Sequence, residues 1–194
     1  MTFAEAHARA APFTIVTRER CELLWNEAGR APAGDFAEVG VYRGGSAMLL
    51  RLAAPERRLH LFDTFVGHPD IVSPHDSIAH PAGRYADTVV ADVIERVGSG
   101  KLTVWAGPFG DPALAAWRWT RLLALVHIDV DLYESTRAVC ALLLPALVPG
   151  GVAICDDYSD DDCPGAKRAI DEYAAAYLAT LTLTIAETGQ AVLR

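Results

Sequence analysis

Basic residues are in short supply: 17 Lys and Arg stand against 25 Asp and Glu, a formal net charge of −8. That balance excludes a nucleic-acid surface, which shows a basic patch, and favours solubility. Cysteine is scarce, and Cys21, Cys140, Cys155 and Cys163 show no CxxC spacing. Zinc-ribbon and dithiol chemistry are therefore not indicated. Cys140 and Cys155 fall inside apolar runs, where cysteine acts as a small hydrophobe. A reduced, cytoplasmic chain with neither zinc nor disulfides is the expectation. No apolar run approaches the length of a membrane span, and the opening MTFAEAHARA lacks the apolar centre of a signal peptide. Internal repeats and low-complexity segments are missing as well. So is the GxGxxG of a dinucleotide site, which disfavours a nucleotide-dependent dehydrogenase.

What is present reads as one globular domain of 194 residues. It is organised around two apolar runs that end in acid, LLALVHIDVD (122–131) and GVAICDD (151–157). A continuous apolar run predicts a strand buried on both faces of a parallel sheet, and ligands collect beyond the carboxyl ends of such strands. Further strands are expected over 35–41, 58–63 and 101–106. Helices are expected over 46–53, 84–97, 134–147 and 164–178, with a short one over 111–119 whose Trp117 and Trp119 read as packing residues. Residues 4–29 read as two helical pieces broken at Pro12, a cap over residues 1–33 against a main domain of 34–194. The last segments, 181–186 and 191–193 around Thr188-Gly189, predict a hairpin. The sum is a doubly wound α/β sheet with one reversed strand. The loop over 64–83, rich in His, Pro and Asp, has the length of a functional lid or a disordered segment, and its His68, His75 and His80 suit either substrate contact or the surface.

The first strand runs into Glu38-Val-Gly40-Val-Tyr42-Arg-Gly44-Gly45-Ser46. These glycines permit a sharp turn and close backbone approach to a ligand. A carboxylate two residues before the first glycine suits a cationic or hydroxyl-bearing ligand better than a pyrophosphate; the plainer alternative is a salt bridge from Glu38 to Arg43 or Arg58. Asp63 ends the second strand about 20 residues on, where an acid holds ribose hydroxyls. A nucleoside carrying positive charge satisfies both features.

On the rim, Asp129, Asp156 and Asp157 offer oxygen ligands for one divalent ion of the magnesium type, which takes a few carboxylates and keeps other positions for water and substrate. Asp131 is then available as general base. The competing reading has Asp156 and Asp157 capping the next loop and Asp131 capping the helix near Glu134. Asp160, Asp161 and Asp162 read as a solvated loop, and His127 as a packed, hydrogen-bonded core histidine.

Taken in order, FAEVGVYRGGS, LFDTFVGHP, HIDVDLYEST and GGVAICDDYSD followed by PGAKRAIDEY resemble the macrocin O-methyltransferase family, over roughly residues 34 to 175. The family comprises class I S-adenosylmethionine-dependent enzymes that methylate sugar hydroxyls, often on antibiotics. The first turn is also similar to that of catechol O-methyltransferase. The resemblance implies a Rossmann-like seven-stranded sheet of order 3-2-1-4-5-7-6. It implies that Glu38, Gly40, Tyr42, Gly44 and Ser46 surround the methionine end of S-adenosyl-L-methionine and that Asp63 holds its ribose. It further implies Mg2+ on Asp129, Asp156 and Asp157, with Asp131 as base. The partner implied is a small-molecule hydroxyl acceptor, a sugar or glycoside, with no nucleic acid or membrane; homo-oligomer formation stays open. A catechol-type phenol is the alternative acceptor, and a non-catalytic cofactor-binding scaffold the alternative from another class. Residues 107–119 fit the family loosely.

Overall fold

Residues 1–70, 73–109, 122–177 and 180–194 are described in a computed structural model. The strands are β1 (Asp35–Val39), β2 (Leu59–Asp63), β3 (Leu102–Ala106), β4 (Leu123–Ile128), β5 (Leu147–Cys155), β6 (Leu183–Ile185) and β7 (Ala191–Leu193). They form one sheet of order β3-β2-β1-β4-β5-β7-β6. The first five run parallel, while β7 is antiparallel to both β5 and β6. This is the expected order, with the terminal hairpin supplying the reversed strand.

Helices α1 (Phe3–Ala10), α2 (Arg18–Arg30), α3 (Gly45–Ala53), α4 (Val90–Val97), α5 (Tyr133–Leu143) and α6 (Pro164–Ala176) cover the sheet. Thr2 begins α1 with a capping box, its hydroxyl taking the Glu5 N–H while the Glu5 carboxylate takes the Thr2 N–H. Every residue of β4 is buried, and its side chains are divided between two cores. Val126 and Ile128 pack with Val139, Leu143 and Ile170 on one face. Leu125 packs with Leu24, Leu50 and Val93 on the other. Each such side chain stabilises the fold by about 1.5–3 kcal/mol. Ala6, Ala10 and Cys21 of the first two helices close a third cluster on Met48 and Leu49 of α3. No described helix is long and apolar enough to cross a membrane.

Several boundaries differ from expectation, and three of them shape the site. Strand β4 stops at Ile128, three residues short of Asp131, which takes a left-handed φ of +59°. Strand β5 begins at Leu147, because the crossover is α5 plus a 3-10 turn over Leu144–Ala146. Helix α4 begins only at Val90, since 84–89 serve to close the long loop: the His68 N–H donates to the Arg84 carbonyl at 3.0 Å and the Gly83 N–H to His68 at 2.9 Å. The helix expected over 111–119, with Trp117 and Trp119, lies outside the described residues, as does Leu178.

Candidate active site

Strand register dictates what meets at the carboxyl edge. Val39 is level with Phe62 on one side and Ile128 on the other, and Ile128 is level with Cys155. The residue after each strand therefore lands on one rim: the Gly40 N–H donates to Phe62, the Asp129 N–H to Val39 and the Asp156 N–H to Ile128, each at 2.9 Å. A cleft of about 700 Å³ opens above them. Gly40, Tyr42, Ser46 and Asp63 line it together with Asp129, Asp131, Asp156 and Asp157.

The glycine turn is held by the acid beside it. Asp63 Oδ2 accepts the N–H groups of Val41 at 2.7 Å and Tyr42 at 2.9 Å, and Oδ1 accepts that of Phe65 at 2.8 Å. A carboxylate offers about four acceptor positions, so Oδ1 retains capacity for a hydroxyl. Tyr42 sits at φ +48° within this arrangement. Gly40, at φ +83°, cannot be replaced without movement: a Cβ there would stand 1.7 Å from the carbonyl oxygen of Asp129. Turn and acid rim thus share one wall.

Behind the rim runs a buried chain of charges. His127 bridges Glu38, whose Oε1 lies 2.9 Å from Nδ1, and Asp156, whose Oδ1 lies 3.5 Å from Nε2. Both His127 and Glu38 are wholly buried. Burial alone would depress the imidazole, but its bonds to Asp156 and Glu38 outweigh it and raise its pKa well above the ordinary value. Asp156 also receives Arg20 at 3.1 Å and the Gln190 amide at 2.6 Å. Burial opposes its ionisation, yet His127, Arg20 and Gln190 together bring its pKa below the ordinary value.

Asp129 and Asp157 behave oppositely. Desolvation, then Asp157 and Asp156, push Asp129 well above the usual carboxylate range. Desolvation, then Asp131 and Asp156, do the same to Asp157. Among the described residues no ion pair reaches either one. The field extends to Cys21, whose thiol is pushed up to about 12 by burial and then by Asp156, Glu38 and Asp129. Asp157 Oδ2 accepts the N–H groups of Val130 at 3.1 Å and Asp131 at 2.9 Å, which fixes the chain as it leaves β4.

This donor set fits a hard divalent cation by its chemistry: three carboxylates, two of them driven towards the neutral form for want of positive charge. In their present rotamers Asp129, Asp156 and Asp157 do not bring one oxygen each within 4.8 Å of the others. Holding one ion together would need other rotamers of these side chains, and at Asp156 an ion would compete with Arg20 for the carboxylate. Neither capping alternative is realised. The N-cap of α5 is Leu132, and the acid that takes the Tyr133 N–H is Asp76, at 2.7 Å.

The described parts of the long loop pack against the rim. Asp76 ties it to α5, His75 packs edge-on against Tyr133 with ring centres 4.8 Å apart, and Arg168 of α6 reaches His75 at 3.2 Å. Tyr85 meets the rings of both Tyr42 and His68 edge-on, at 5.3 Å each. His68 and His80 turn inward, and His68 Nε2 lies 2.9 Å from Asp131 Oδ2.

Two expected cofactor residues stand outside the cleft lining. Glu38 lies beneath it, paired with His127 rather than with Arg43 or Arg58, and Gly44 sits behind the turn against Val93. Sequence reasoning missed Arg20 and Gln190, which reach Asp156 from α2 and from the start of β7 with no local signal in the chain. It placed His127 as a hydrogen-bonded core residue without identifying its partners. Asp160, Asp161 and Asp162 are exposed, as a solvated loop should be.

Residues 12–189 match the model of the Macrocin-O-methyltransferase (TylF) family. A demethyldecarbamoylnovobiocin O-methyltransferase of Streptomyces niveus is 34% identical over 179 residues, 83% of this chain and 66% of that one. An 8-demethyl-8-(2,3-dimethoxy-alpha-L-rhamnosyl)-tetracenomycin-C 4'-O-methyltransferase of Streptomyces olivaceus is 31% identical over 159 residues, 74% of this chain and 59% of that one. The chain thus spans about three fifths to two thirds of the length of the curated relatives it matches. Among solved structures, the O-methyltransferase NovP is similar at a TM-score of 0.81 and 26% identity, over 94% of this chain and 81% of that one.

Proposed function

We propose, since this chain belongs to the macrocin O-methyltransferase family, that it transfers a methyl group from S-adenosyl-L-methionine to a hydroxyl of a sugar or glycosylated natural product. The observation that carries this reading is the shared wall between the glycine turn and the acid rim, which sets a donor site beside a cation-seeking acceptor site. The acceptor class follows the relatives, whose names specify a rhamnosyl-tetracenomycin and demethyldecarbamoylnovobiocin.

Gly40, Tyr42 and Ser46 line the place of the methionine moiety, and Asp63 offers Oδ1 to a ribose hydroxyl. Glu38 and Gly44 support that wall from behind. Residues 1–33 act as a helical cap, contributing Arg20 to the rim. Asp129, Asp156 and Asp157 would hold Mg2+, which when bound orients a hydroxyl and lowers its pKa. The protein's own part is alignment: acceptor oxygen, methyl carbon and sulfur must lie in line. As the C–O bond forms and the C–S bond breaks, the hydroxyl proton passes to a carboxylate oxygen of Asp131.

The test is a methyl-transfer screen over glycosylated acceptors with Mg2+ present, repeated in excess EDTA. Product formation that chelation stops, with cofactor binding preserved, is the expected result. Full activity in EDTA removes the metal from the reading, and transfer to catechols alone removes the sugar acceptor.

A further inference from the structure

A second group of metal-binding side chains stands beside the acid rim, separate from Asp129 and Asp156. His68, His80 and Asp131 each place one ligand atom within 4.8 Å of the other two. His68 Nε2 is 2.9 Å from Asp131 Oδ2, and His80 Nδ1 is 3.5 Å from Asp131 Oδ1. Ligands around a zinc-sized ion with bonds near 2.0 Å stand about 3.3 Å apart, and the two histidine–carboxylate distances bracket that spacing.

Two further observations point to a ligand. His80 Nδ1, the nitrogen that faces Asp131, is buried without a hydrogen-bond partner among the described residues, on a side chain only 4% exposed. A buried, unpaired ring nitrogen facing a carboxylate is costly unless something binds it. The opposite nitrogen of His80 is engaged: Nε2 lies 3.3 Å from Cys163 Sγ, which in turn lies 3.4 Å from Asp131 Oδ1. Metal-binding histidines are characteristically oriented in this way, through a partner on the nitrogen that does not ligate. Paired backbone bonds with Gly83 and Arg84 fix His68, and the His80 N–H donates to the Ser77 carbonyl at 3.3 Å.

We propose that His68, His80 and Asp131 form a site for a divalent transition metal of the zinc class, with a fourth position open to the cleft. Two imidazoles and one carboxylate select such an ion over magnesium, which prefers an all-oxygen shell. An ion there takes the Asp131 oxygens assigned above to proton uptake. That consequence rests on the methyl-transfer reading, whereas binding itself does not.

Equilibrium dialysis of the full chain against Zn2+, with Mg2+ in large excess to saturate the oxygen site, tests the binding. Co2+ in place of Zn2+ adds a visible spectrum that reports coordination number. The expected result is stoichiometric Zn2+ binding and the intense absorption of four-coordinate Co2+. His80→Gln and His68→Leu should each weaken binding at least 10-fold, the scale on which even partners of metal ligands matter. Asp156→Asn, outside the cluster, should leave it within a few fold. Circular dichroism and S-adenosylmethionine binding verify that each variant is folded. Unchanged Zn2+ affinity in both histidine variants, or the weak spectrum of six-coordinate Co2+, overturns the site whether or not the chain methylates sugars.

Discussion

Replacing His127 by Leu should damage this protein more than its distance from any substrate suggests. The ring is completely buried, and its Nδ1 is the hydrogen-bond partner of Glu38 Oε1, while Glu38 Oε2 is buried without any. The substitution therefore strands a carboxylate in the core with neither oxygen paired. Breaking a buried pair by removing one member costs about 3–5 kcal/mol, because the other charge is left uncompensated. For a domain of this size each kcal/mol moves Tm by roughly 2–4 °C, so a fall of roughly 6–20 °C is expected. The double variant His127→Leu/Glu38→Leu removes both charges and should recover most of the loss, since Asp156 keeps Arg20 and Gln190. Urea unfolding followed by far-UV circular dichroism at neutral pH measures all four corners of the cycle. A single-variant cost under about 1 kcal/mol, or additive losses in the double variant, refutes the buried-pair argument. The sign with pH is fixed too. A histidine raised in the folded state stabilises fully below its unfolded pKa, and that contribution disappears as pH rises through the folded value. The gap between wild type and His127→Leu should narrow on the alkaline side.

Asp131→Asn should retain S-adenosylmethionine binding, measured by calorimetry, while turnover drops by about 10²–10⁴-fold, the usual worth of a positioned acid or base; near-normal activity takes Asp131 out of the mechanism. Asp129 and Asp157 are raised in the folded state, so the metal-free protein should lose stability as pH climbs from the ordinary carboxylate pKa through their folded values. Mg2+ should offset that loss, raising the urea midpoint more at pH 8 than at pH 5; an equal effect at both separates the metal from these carboxylates. Gly40→Ala combines a left-handed backbone, worth about 1–3 kcal/mol, with overlap onto the Asp129 carbonyl, and should abolish cofactor binding before it abolishes the fold. Calorimetry alongside thermal melts distinguishes the two.

The sheet was legible because its signals are local and periodic. Apolar runs over 122–128 and 151–155 admit little but buried strands, and Gly40 can be recognised from its neighbours alone. The rim acids were legible for the same reason, since the residue following a parallel strand is delivered to the carboxyl edge wherever that strand sits. Partners contributed from afar were not. Arg20 is 136 residues from Asp156, and nothing around it distinguishes it from Arg18. Helix α4 is six residues shorter than its pattern predicts because 84–89 carry no local breaker, and what holds them out of the helix is tertiary, including the Arg84 carbonyl and the Tyr85 ring on His68. The histidines of the loop have no period, so only the closed neck reveals that His68 and His80 point inward.

That neck has an architectural consequence. Two backbone hydrogen bonds join residue 68 to residues 83 and 84, and Asp76 and His75 tie the same loop again to Tyr133. The backbone bonds that set Gly40 beside Asp129 run between strand ends and use no residue of that loop. Changes in that loop would leave the register of Gly40 against Asp129 in place, whereas changes at His68, Asp76 or His80 would reach Asp131 and Tyr133 directly. The strand ends and the loop are thus coupled at a few named side chains rather than through the sheet.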